Sequence, residues 1–184
     1  MPTLSFNDEI RKYLQQICFV LPEFSHIDLS RVIVNTTAAK SNKRHGILAY
    51  VTPLKYKDGS DIFIRQRRNR TYRFQIDPFY KDGKEILYII NFLIPRFMHL
   101  SKENKIKTIL HELYHISPLF NGDFRRFEGY SKIHGQSLEH YDKLIEGIYK
   151  RFLYAFPNFL EKRFFEDRYE FQTVIEPKPR LLNN

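Results

Sequence analysis

Residues 101–118 read SKENKIKTILHELYHISP, and the fold around them turns on how that stretch is read. Ile106, Ile109, Leu110, Leu113 and Ile116 recur at helical spacing, which gives the segment one apolar stripe. Ser101 is placed to cap the start of a helix and Pro118 to stop it. The pattern therefore predicts a helix over 101–117. His111 and His115 are four residues apart, so one turn puts them on the same face. At about 100° per residue, that face lies roughly opposite the apolar stripe.

Two imidazoles one turn apart can share a Zn²⁺, and Glu112 beside the first can reach a water held there. This HExxH spacing points to metal-assisted hydrolysis of peptide bonds. The plainer reading is two histidines on a solvated face. Composition alone gives about 0.02 accidental matches in a chain of this size, so neighbouring residues have to decide. A catalytic zinc takes three protein ligands and leaves one position open. Candidates for the third are Glu128, His134, Glu139 and His140. His134 stands at the start of a second helical pattern that runs through Leu138, Tyr141, Leu144, Ile145, Ile148 and Phe152. At the first turn of that helix it would point back at the metal, and Gly135 would let the backbone approach closely. Asn121-Gly122-Asp123 marks a turn between the two helices. Glu139 reads by default as a surface carboxylate, and Glu128 as a partner for Arg125 or Arg126. His140 faces elsewhere.

His111-Glu112-x-x-His115 followed by His134-Gly135 resembles the SprT-like (Spartan-type) zinc metallopeptidases, a layout shared by small phage and prokaryotic metallopeptidases. The resemblance is most specific from Ile106 to Tyr141. It implies a zincin-like fold and one Zn²⁺ per chain held by His111, His115 and His134. It further implies Glu112 as general base and a protein or peptide substrate. It also raises DNA as a further partner.

Composition supports a folded domain. The chain has 184 residues, of which 42% are apolar and 16% aromatic, enough for a core that does not depend on metal. One zincin-like domain is expected over 1–175, with 176–184 as a loose tail. The single cysteine, Cys18, excludes an internal disulfide and a cysteine zinc site, and it fits a reducing, cytoplasmic setting. It lies between apolar neighbours in the first helix and reads as buried and inert. No secretory signal is visible, and the longest apolar run, residues 86–100, is too interrupted to span a bilayer.

The net charge of +9 is concentrated ahead of the histidine helix. Residues 61–110 carry 11 basic and 5 acidic groups, whereas residues 111–184 carry 11 of each. Arg65, Arg67, Arg68, Arg70 and Arg73, interleaved with Tyr72 and Phe74, are the densest part. Such a cluster can hold phosphates and stack bases; the plain alternative is a solvated basic loop. Lys40, Lys43, Arg44 and His45 form a weaker group. Two further functions therefore stand beside a peptidase: a basic nucleic-acid-binding module with a structural or vestigial metal site, and a hydrolase of non-protein amides. The intact Glu112 favours an enzyme over a structural site.

The remaining pattern is α+β. Phe6, Ile10, Tyr13, Leu14, Ile17 and Leu21 predict a first helix, with Ser5 and Asp8 as its cap and Pro22 as its end. Residues 31–35, 46–51, 62–65, 71–77 and 86–94 read as strands, hairpin-joined and mostly antiparallel. The turns are expected at Lys57-Asp58-Gly59-Ser60 and Asp82-Gly83. Residues 86–94 are the last strand before the histidine helix. In zincin-like folds, which the chain resembles, an edge strand beside that helix holds substrate; residues 86–94 are the candidate for it, though an apolar run on both faces better suits a central strand.

Overall fold

The computed structural model describes residues 4–39, 46–127, 134, 137–159 and 169–182. The basic group at residues 40–45 lies outside them, as do Glu128 and Gly135. The fold is α+β, as expected. Helix α1 (Phe6–Val20) starts at Ser5, whose hydroxyl accepts from the Asp8 amide. Phe6, Ile10, Leu14 and Ile17 are each at most 1% exposed. Helix α2 (Lys102–Tyr114) is capped by Ser101, which accepts from the Asn104 amide. Ile106, Ile109, Leu110, Leu113 and Ile116 are all buried, so the apolar stripe is the core face. Helix α3 (Leu138–Ala155) is capped by Ser137.

These helices pack on a three-stranded sheet in the order β2 (Val32–Ala38), β8 (Tyr88–Ile94), β3 (Ala49–Pro53). Side chains alternate across it. Val32, Val34, Tyr88, Ile90, Phe92, Ala49 and Val51 meet the helices. Ile33 and Ile89 face the other side, where Val174 packs on them. Strand β8 is thus buried on both faces and takes the centre. Of the two readings of residues 86–94, the central strand holds and the edge does not; the edge beside α2 belongs to β3. The sheet is also not a hairpin meander, because β2 pairs with β8 in parallel.

The hairpins stand outside that sheet. β4 (Ile62–Arg67) and β5 (Arg70–Gln75) form one, and β6 (Phe79–Lys81) and β7 (Lys84–Ile86) another that turns at Asp82-Gly83 as expected. Lys57–Gly59 is a 3₁₀ turn, but the strands on either side of it do not pair with each other. The end of the chain differs from a loose tail. β10 (Arg180–Leu182) pairs with β5, and residues 172–176 lie across the outer sheet face. There Asn35 and Asn91, both at most 1% exposed, bond each other at 2.7 Å. Val174 and the Glu176 carboxylate complete their partners. β1 (Leu4–Ser5) and β9 (Tyr169–Glu170) form a short parallel pair. Among the described residues, no helix is long and apolar enough to cross a membrane.

Candidate metal centre

His111 lies in the last turn of α2 and His115 at its C-cap. His134 comes three residues before Ser137, the cap of α3, rather than in that helix's first turn. The three imidazoles nevertheless converge, each offering a ring nitrogen within 4.8 Å of the others. The Nε2 atoms of His111 and His134 are 3.3 Å apart. Tetrahedral zinc with nitrogens at about 2.0–2.1 Å separates its ligand atoms by about 3.4 Å, so this pair is spaced to share one cation.

The electrostatics suit the same purpose. Burial, assisted by the neighbouring imidazoles, lowers the pKa of His111 to about 4 and that of His115 to about 3. Both rings therefore stay neutral at pH 7 with a lone pair free, as a metal ligand requires. The Glu112 side chain lies on the same helix and is 6% exposed. Burial raises its carboxyl pKa to about 7, against a hydrogen bond from the Val51 main chain on β3. That value suits a group that takes and returns a proton near neutrality.

A cleft of about 820 Å³ opens in front of these groups. Ile47, Leu48 and Ala49 line one side, while His111, Glu112 and His134 line another together with Leu138, Asp142 and Ile145. The chain leading into β3 thus forms a wall of the cleft. The far side of β3 carries no partner strand among the described residues.

Of the rival ligands, Glu128 lies outside the described residues and Glu139 and His140 are not in the cluster. Glu139 is exposed and pairs with Lys143. Arg126 is answered by both carboxylate oxygens of Asp123. Asp123, only 4% exposed, also accepts from the amides of Asp58 and Phe124, and so secures the loop after α2. In the sequence it stood only as a turn residue. Of the tyrosines near the site, Tyr114 lies under the Arg125 guanidinium, 4.0 Å from ring centroid to Cζ. Tyr141 is 1% exposed, with its hydroxyl engaged by His111 and His115.

The five arginines gather on the β4–β5 hairpin rather than in a loop. Register pairs Arg65 with Tyr72, Arg67 with Arg70 and Phe63 with Phe74, which puts all six on one face. Arg73 is on the opposite face and Arg68 is in the turn, with φ 51°. No ion pair or hydrogen bond to a described side chain engages any of the five. Cys18 is partly buried, and burial pushes its thiol up to about 12, consistent with an inert side chain.

A mixed domain that brings three imidazoles together beside a buried glutamate in a cleft has the make-up of a metallopeptidase. The chain belongs to the family described as "Putative phage metallopeptidase", which it matches over residues 4–149. No curated protein and no solved structure matches it significantly.

Proposed function

We propose that the protein is a zinc-dependent peptidase, with His111, His115 and His134 as the ligands and Glu112 as general base. The observation that carries this reading is the convergence of three ring nitrogens beside a buried carboxylate at the cleft. Three nitrogen donors with one position left over suit catalytic rather than structural zinc. When bound, zinc lowers the pKa of water toward 7 and polarises the scissile carbonyl.

The chain's own groups do the rest. Glu112 takes a proton from the attacking water and returns it to the leaving amine. The low-dielectric surroundings that raise its pKa make both transfers accessible near pH 7. The edge of β3 that carries no partner strand among the described residues is suited to hold an extended peptide through backbone pairing, with little demand on its sequence. The finer likeness to SprT-like enzymes rests on His134-Gly135 following the HExxH pair. We take the catalytic unit to run past residue 175, since the Glu176 carboxylate bonds Asn91 and β10 pairs with β5, and the lone, poorly ionised Cys18 as fitting a reducing cytoplasm.

Metal content and casein cleavage test this together. Glu112→Gln is expected to retain one zinc per chain and lose cleavage by a factor of about 10² or more. His134→Ala is expected to lose zinc. A His134→Ala variant with full zinc would remove the third ligand, and equal cleavage by Glu112→Gln would remove the base.

The arginine hairpin favours a second reading, in which the domain also binds nucleic acid. Three guanidinium groups beside Tyr72 on one face, without an ion-pair partner among the described residues, match a phosphate backbone with bases to stack. Single-stranded DNA is then expected to bind in a salt-sensitive manner. Replacing Arg67, Arg68 and Arg70 by Glu is expected to abolish this, and Glu112→Gln to leave it intact. Binding unaffected by the triple change would end this reading.

A further inference from the structure

The last carbonyls of an α-helix have no intrahelical donor and need partners from elsewhere. At the end of α2 those partners can be traced. The His115 amide goes to the Glu112 carbonyl at 3.2 Å and the Ile116 amide to Leu113 at 3.1 Å, so the final turn tightens to 3₁₀ spacing. Arg125 closes two more, with its Nε on the Tyr114 carbonyl and its amide on His115, both at 2.7 Å. The His111 carbonyl, also in the last turn, has the Tyr141 hydroxyl 3.2 Å from it.

The same hydroxyl is 3.3 Å from Nδ1 of His115. It carries one proton, and a carbonyl can only accept. A hydroxyl that donates to His111 must therefore accept from His115, which puts the imidazole proton on Nδ1. The lone pair of His115 is then on Nε2. Tyr141 comes from the first turn of α3, and its ring contacts all three imidazoles at centroid distances of 4.8–5.3 Å.

We propose that Tyr141 is a positioning residue for the metal site: it accepts Nδ1–H from His115, donates to the His111 carbonyl, and so holds the Nε2 of His115 as a free ligand atom. This rests on the reading of the three histidines as metal ligands. Outer-shell partners of ligating histidines fix the tautomer in this manner, and losing one typically costs about 10- to 100-fold in metal affinity.

The test combines Zn²⁺ affinity, by competition with a chromogenic chelator, and histidine tautomers, by long-range ¹H–¹⁵N NMR of the metal-free protein. Wild type is expected to show His115 protonated on Nδ1. Tyr141→Phe keeps the ring; it is expected to bind Zn²⁺ about 10- to 100-fold more weakly and to show both His115 tautomers. A wild-type His115 protonated on Nε2 overturns the proposal, and this measurement stands even if the variant fails to fold. Tight wild-type binding matched by the variant also overturns it, while leaving the metal reading intact. Wild type that binds no Zn²⁺ overturns the metal reading and the proposal with it.

Discussion

His26 shows what burial does to a single side chain away from the metal site. Its Nε2 is buried with no partner among the described residues, and burial, with Arg125 nearby, holds its pKa below the ordinary value. The unfolded chain therefore binds this proton more readily than the folded one. Its contribution to stability is full above about pH 6.5 and is lost as pH falls from there toward the folded value. His26→Leu is expected to lose less stability than wild type between pH 7.5 and 5.5, measured by urea unfolding of the metal-free proteins. Equal losses would contradict the assignment. At this scale the spacing of His111, Glu112 and His115 was legible because period alone puts i and i+4 together. His134 was legible as a residue type in the right neighbourhood, although it lies ahead of α3. The contacts of Tyr141 with His111 and His115, and the burial of Asp123, were not. A buried tyrosine at helical spacing reads as packing, and an Asn-Gly-Asp turn gives no sign that its aspartate is enclosed.

The α2 helix carries the two roles that its pattern separated. Its apolar face is anchored in the core, and the adjoining surface holds the histidines beneath α3. Removing the cap by Ser101→Ala is expected to cost about 1 kcal/mol. Leu113→Ala, at a fully buried position, is expected to cost about 2–5 kcal/mol. Urea unfolding checks both, and a Leu113 cost no larger than that of Ser101 would mean that the helix is not anchored by this face. The strands were harder to place. An apolar run such as 86–94 announces burial on both faces and so a central strand, yet its place just before α2 kept the edge open. Order in the sequence does not set order in a sheet, since the parallel β2–β8 pair requires a crossover that period-2 alternation cannot reveal. The basic cluster likewise sits on β4 and β5 because Arg68-Asn69 turns the chain, without the glycine that marks the Asp82-Gly83 hairpin.

The whole molecule is closed by its last residues. Residues 172–176 cover Ile33 and Ile89 and satisfy Asn35 and Asn91, while β10 extends the arginine hairpin. A Pro-rich, polar C-terminus gave no hint of this, because its partners are carried by strands over 80 residues earlier in the chain. Deleting 172–184 is expected to lower Tm and increase binding of a hydrophobic dye. Each buried amide left without a partner costs about 1–3 kcal/mol. An unchanged Tm would show that the segment is a passenger. The central claim, however, is the metal centre, and a crystal of the zinc-loaded protein measured across the zinc absorption edge tests it most directly. The account predicts one anomalous peak about 2.0–2.1 Å from a ring nitrogen of each of His111, His115 and His134. A peak that leaves out His134, or no peak between these three residues, would contradict it.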